Sequence, residues 1–189
     1  MLLKPTVLLE QQTNLIQSCI DGDRHSQSQL YELFVPKMFA VCLRYSKNRE
    51  EAEEILQEGF VQVFKSLKSF RHEGSFEGWV RKIMVNTALK KYSLRRYEKE
   101  VSGYEIKDRV ESAMEPSAYA HLTQKELMDL INKLPDGYRM IFNLYVIEGY
   151  QHDEIAEMLG IQPGTSRSQL VKARNMLQKQ ILQLQKVAV

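Results

Sequence analysis

The sequence is short of most features that mark catalytic, secreted and membrane proteins. Its 189 residues include 2 cysteines, 4 histidines and a single tryptophan. Cys19 and Cys42 both fall at apolar positions of helical patterns, which reads as buried cytosolic thiols rather than a disulfide framework. The histidines are scattered and no cysteines are paired, so a zinc site is not expected. A nucleic-acid-modifying enzyme would need a clustered metal or acid–base site, and none is visible. No covalent chemistry, cofactor or small-molecule substrate is expected. No apolar run is long enough to span a bilayer. The opening "MLLKPTVLLEQQ" is apolar only briefly, is interrupted by Pro5 and has no small-residue cleavage site after it. It is not read as a signal peptide, and the expected location is the cytoplasm without direct membrane insertion. Convincing apolar–polar alternation is also missing, which leaves no candidate strand.

Charge is abundant but unevenly spread. The 26 basic and 24 acidic residues leave a net charge of only +2. Within residues 81–99, Arg81, Lys82, Lys90, Lys91, Arg95, Arg96 and Lys99 face a single acid, Glu98, a net +6. Residues 165–189 carry +5 and contain no Asp or Glu, while residues 1–80 carry −2 and residues 100–164 carry −7. Two compact basic blocks in an otherwise acidic chain point to two contacts with a polyanion. The alternative is solvated helix faces, but such faces usually mix signs.

Helical periodicity runs almost throughout. Leu30, Leu33, Phe34, Met38, Val41, Cys42 and Tyr45 form one apolar stripe, with Pro36 predicting a kink or a break inside it. A second stripe passes through Ala52, Leu56, Gly59, Phe60, Val63 and Leu67. A polar, glycine-containing stretch at 69–78 ends it, and a third helix is expected to start near Phe76. There Val80, Ile83, Met84 and Thr87 are the expected core face, with Lys82, Asn86, Leu89 and Ser93 opposite. Trp79 reads as a core residue rather than a base-stacking one. Residues 98–118 lose periodicity, turn acidic and include Gly103 and Pro116, which reads as a linker. The pattern resumes with Leu122, Leu127, Leu130, Ile131 and Leu134. Pro135 suits the first turn of a helix carrying Tyr138, Ile141, Phe142 and Tyr145 that ends at Gly149. The expected fold is all-α: two small helical domains, 10–97 and 119–185, joined by a flexible acidic linker, the second a helix-turn-helix.

The stretch "DEIAEMLGIQPGTSRSQLVKARNML" carries that last expectation. Ile155, Ala156 and Leu159 give a short first helix one apolar face, and Ala156 is small where a second helix must cross. Gly160 suits the left-handed conformation that ends a helix, and Ile161 can plug the corner. Thr165 is the expected N-cap of the second helix. Leu170, Ala173 and Leu177 point to the core, leaving Arg167, Ser168, Val171, Lys172 and Arg174 on or near the other side. Arg and Lys can meet phosphate or guanine, Ser a base edge, and Val a thymine methyl. An ordinary α-hairpin with a basic face is the plainer alternative.

Taken together, nearly the whole chain resembles a bacterial RNA polymerase sigma factor of the extracytoplasmic-function (ECF) group in the sigma-70 family. "EEAEEILQEGFVQVFKSLKSFR" is similar to the family's core-polymerase-binding helix, "GSFEGWVRKIMVNTALKKYSLRR" to the segment that melts and reads the −10 element, and "LPDGYRMIFNLYVIEGYQHDEIAEMLGIQPGTSRSQLVKAR" to the domain that reads the −35 element. The resemblance implies that Glu51, Glu54, Gln57 and Glu58 bind core polymerase. It also implies that Arg71, Gly74, Ser75, Arg81, Lys82, Asn86, Lys90 and Lys91 contact the −10 region. Around −35 it implies Thr165, Arg167, Ser168, Val171, Lys172 and Arg174. The implied partners are the core enzyme (clamp helices of the largest subunit, and the flap), promoter DNA and an anti-sigma factor. The chain departs from the family pattern at Gln151, where Ser or Thr is usual, at Ser166, where an apolar residue is usual, and at Gln169, where a basic one is usual. A conventional helix-turn-helix regulator that binds duplex DNA without polymerase is the competing reading.

Overall fold

Residues 5–101 and 123–187 are described by a computed structural model, and among these described residues every element is helical. The chain divides into two compact units, Met1–Ala88 and Leu89–Val189. The first contains α1 (Pro5–Ile20), α2 (Arg24–Tyr45), α3 (Arg49–Ser66) and a 3-10 turn (Leu67–Ser69). A loop then leads to α4 (Phe76–Val101), within which the division falls. Of the expected linker at 98–118, residues 98–101 belong to α4, and 102–118 lie outside the described residues, as does Leu122.

Leu30, Phe34, Met38, Val41, Cys42 and Tyr45 are buried along α2, which packs on both α1 and α3. Leu33, expected in this stripe, is instead 58% exposed. The helix also runs through Pro36 without the expected break. Proline removes the hydrogen bond to the carbonyl of Glu32, but both residues are exposed, so water can reach that carbonyl. Burying each large apolar side chain of the stripe contributes about 1.5–3 kcal/mol, enough together to outweigh the roughly 3 kcal/mol cost of an interior proline. Burial pushes the Cys42 thiol up to about 12, so it stays an unreactive packing group.

The second unit holds α5 (Gln124–Asn132), α6 (Asp136–Phe142) continuing into a π turn (Asn143–Ile147), α7 (His152–Leu159) and α8 (Pro163–Val187). Thr123 starts α5 with a reciprocal capping box, its hydroxyl accepting from Glu126 N–H and the Glu126 carboxylate accepting from Thr123 N–H. Pro135 precedes α6 rather than lying in its first turn. Buried Arg139 donates to the Asn132 carbonyl at 3.1 Å and to Asp136 Oδ1 at 3.0 Å, tying the end of α5 to the start of α6. Leu130, Ile131, Leu134 and Tyr138 pack against Ala173, Leu177 and Ile181 of α8 to form the core.

Candidate nucleic-acid interface

The loop ahead of α4 is organised by aromatic rings. Phe70 packs against Phe76 at 5.1 Å and Trp79 at 5.5 Å between ring centroids, and Phe76 reaches Phe34 of α2 at 5.4 Å. Trp79 is therefore a half-buried anchor, in line with the packing role expected of it. His72 takes a left-handed φ of 58° and lies 4.6 Å from the Phe70 ring, turning the chain sharply before the helix. Arg71, Gly74 and Ser75 are all exposed in this loop. Ser75 also caps α4, its Oγ accepting from Gly78 N–H at 3.1 Å.

Along α4 the buried residues are Phe76, Val80, Met84, Val85, Ala88 and Leu89. Leu89, expected opposite the core, is only 4% exposed, and Ile83 and Thr87, expected in it, are half-buried at its edge. Val85, next to the expected core position Met84, is buried as well. Lys82, Asn86 and Lys90 follow one another at a spacing of four and are all exposed, while Arg81 and Lys91 are half-buried. The helix thus presents a polar stripe with an amide between two cations. An amide donates and accepts in one plane, as hydrogen bonding to a base edge requires.

Of the four α3 residues that the resemblance assigns to core-polymerase binding, three are exposed. Glu54, Gln57 and Glu58 are exposed, but Glu51 is 8% exposed and spoken for. Its Oε2 accepts from Lys47 N–H at 2.7 Å, while its own N–H donates to Asn48 Oδ1 at 2.9 Å. Asn48 therefore caps α3, and the Glu51 carboxylate holds the residue before the cap; a carboxylate near a helix N-terminus is favoured there by the helix dipole.

In the second unit α7 and α8 make the expected helix-turn-helix. Gly160 ends α7 with φ 63° and ψ 41°, and Ile161 N–H bonds back to the Ala156 carbonyl at 3.0 Å. Gln151 makes no side-chain cap, yet its N–H is taken by the Glu154 carboxylate at 2.7 Å, which offsets the missing Ser or Thr. The helix α8 begins at Pro163, so Thr165 lies inside the first turn and is not the N-cap. Proline suits the first helical position because its absent N–H would have no partner there. Arg167, Ser168, Val171 and Arg174 are exposed, Val171 by 55%, and Thr165 and Lys172 are half-buried. The Lys172 ammonium lies 5.8 Å from the Tyr138 ring centroid, and the Arg174 guanidinium 6.0 Å from that of Tyr145. Both rings lean on these cations and restrict where they point.

One residue at this site, His152, carries no expectation from the sequence, and Ser166 is expected only as a departure from an apolar position. His152 opens α7, and its Nδ1 lies 2.9 Å from the hydroxyl of Ser166, which is wholly buried. Tyr145 stacks on the imidazole, with centroids 4.5 Å apart and planes 20° from parallel. Burial, foremost, and then Arg167 hold the imidazole below its ordinary protonation range; Asp153 opposes them, and Arg174 adds the least. A signal was available: Ser166 lies on the stripe with Leu170, Ala173, Leu177 and Ile181, and a buried hydroxyl needs a partner. Among the described residues there is no His, Cys, Asp and Glu cluster suited to a metal ion, and no helix long and apolar enough to cross a membrane.

A loop-led basic helix followed by a helix-turn-helix places the protein in the class of helical DNA-binding proteins. Comparison with known proteins sharpens the class. Residues 30–99 match sigma-70 region 2, and residues 124–177 match sigma-70, region 4. The ECF RNA polymerase sigma-E factor of Haemophilus influenzae is 26% identical over 178 residues, covering 88% of this chain and 93% of that one. The ECF RNA polymerase sigma factor SigW of Bacillus subtilis is 27% identical over 177 residues, covering 86% and 92%. A solved sigma factor RpoE, in complex with the anti-sigma factor NepR from Bartonella quintana, matches with a TM-score of 0.48 and 24% identity, over 80% of this chain and 94% of that one. The chain belongs to the sigma-70 family of RNA polymerase sigma factors, in the ECF group.

Proposed function

We propose that this sigma factor directs core RNA polymerase to promoters by dividing the work between its two halves. Residues 10–97 bind the core enzyme and open the −10 element, and residues 119–185 dock on the −35 element in the major groove. The observation that carries this reading is the pair of basic faces, on α4 and α8, borne by regions that follow the family's order. On α3, Glu54, Gln57 and Glu58 remain as the face for the polymerase clamp helices, with Glu51 supporting that face by holding the residue before the helix cap. On α4, Asn86 reads a base of the non-template strand, with Lys82 and Lys90 on flanking phosphates and Arg81, Lys91 and the loop Arg71–Ser75 beside them. Extruding a base costs about a few kcal/mol, which such contacts must offset. On α8, Arg167, Ser168 and Val171 face base edges, while Thr165, Lys172 and Arg174 serve the backbone. Polymerisation belongs to the core enzyme, and this chain acts in the cytoplasm through binding alone. An anti-sigma factor covering the same surfaces would hold it inactive. The test is reconstitution of core polymerase with and without this chain on a promoter library. Promoter-specific transcripts only in its presence are expected; duplex binding without holoenzyme formation would favour the conventional regulator instead.

A further inference from the structure

The contact between His152 and Ser166 does more than satisfy a buried hydroxyl. Ser166 sits in the first turn of α8, immediately before Arg167 and Ser168 and one turn ahead of Val171. Apolar contacts such as those of Leu170 and Ala173 set which face of the helix is buried, but a repacked apolar seam tolerates small shifts about the helix axis. A 2.9 Å hydrogen bond at the first turn has a direction. The imidazole that makes it is itself fixed, since Tyr145 stacks on it and Arg174, two turns further along α8, lies over the Tyr145 ring. Ser166 and Arg174 thus tie α8 at two points to one column of rings supplied by the π turn and α7. An apolar residue at 166 would pack the same seam without this constraint.

We propose that His152 is a positioning residue for promoter reading: by holding Ser166 Oγ while stacked on Tyr145, it sets the rotation of α8 and thereby which −35 bases Arg167, Ser168 and Val171 address. This rests on α8 being the −35-reading helix. The test uses the full chain in holoenzyme with core polymerase, measuring binding to promoters that carry every single-base substitution in the −35 element, beside thermal unfolding of each variant. Removing both polar partners together is nearly neutral for folding, so His152→Leu combined with Ser166→Val is expected to unfold at the wild-type temperature. Its ranking of −35 bases should nevertheless shift, with a change of about fivefold or more at one position. His152→Asn, whose carboxamide can still meet the hydroxyl, should keep the wild-type ranking. Should the apolar pair not fold, Ser166→Ala removes only the hydroxyl and carries the same expectation. A wild-type ranking in the folded apolar pair, while Arg167→Ala still weakens binding, would overturn the role of His152. Arg167→Ala with no effect on binding would overturn the recognition-helix reading itself.

Discussion

The two basic helices are seated by different physics. The helix α4 rests on close apolar packing: a Cβ added to Gly59 of α3 would lie 2.2 Å from Met84 Sδ, so any other residue there would force the buried Met84 thioether to move. The helix α8 carries an equally apolar stripe, but adds a buried polar joint at its first turn and aromatic rings under two of its cations. The exposed stripe of α4, with Lys82, Asn86 and Lys90, has its chain ends in solvent. The contrast suits the proposed targets. Duplex DNA is stiff and rewards a reader whose side chains are already aimed, whereas a strand being opened changes shape as it is captured.

The largest effect should come from removing the apolar seat. Gly59→Val is expected to destabilise the first unit by about 3 kcal/mol, read as a lower denaturant midpoint. It should abolish promoter opening while leaving −35 duplex binding by the second unit intact. Loss of both together would mean that the two seats are not independent. Next in size is Asn86→Ala. Its exposed side chain predicts little change in stability, but open-complex formation should fall about tenfold, as unreactive −10 thymines in permanganate footprints would report. Smaller again is Lys172→Ala. Binding to −35 duplexes should weaken across sequences alike, with the slope of log K against log salt reduced by about 1. An unchanged slope would place Lys172 off the phosphate backbone.

How much of this was legible in the sequence differs between the two helices for a related reason. Directionless apolar contact leaves a periodic trace, so the start of α4 at Phe76, the buried Val80 and Met84, and the exposed Asn86 could all be read from spacing. The same trace blurs at its edges, where Leu89 is buried and Leu33 exposed against what their spacing predicts. Hydrogen bonds leave no period. Glu51 shares its spacing with exposed acids, and only the pairing of Asn48 with an acid three residues later marks it as part of the helix start. The His152–Ser166 contact joins residues 14 apart across the corner between two helices, and neither residue type announces its partner. In the candidate site, the exposed faces of Lys82, Asn86, Lys90, Arg167, Ser168 and Val171 and the apolar seats behind them were legible, and the polar joint under α8 was not.

The smallest expected effect is the one that separates the two seats most cleanly, because only one of them holds a proton-sensitive group in its joint. Folding lowers the protonation range of His152 from its ordinary 6.5, mainly by burial and then through Arg167 and Arg174. The unfolded chain therefore binds a proton at this residue more readily than the folded one does. The stability contributed by the neutral imidazole is fully present above about pH 6.5, the ordinary value. It is lost as pH falls through the lower, folded-state range. Protonation also makes both ring nitrogens donors, so Ser166 Oγ must accept, and the proton of this buried hydroxyl must find another partner. Thermal unfolding of the second unit should accordingly move down on acidification below that point. In the His152→Leu, Ser166→Val pair this share of the pH dependence should vanish, while Gly59→Val should leave it untouched. An identical acid response in wild type and the apolar pair would show that α8, like α4, is held by packing alone.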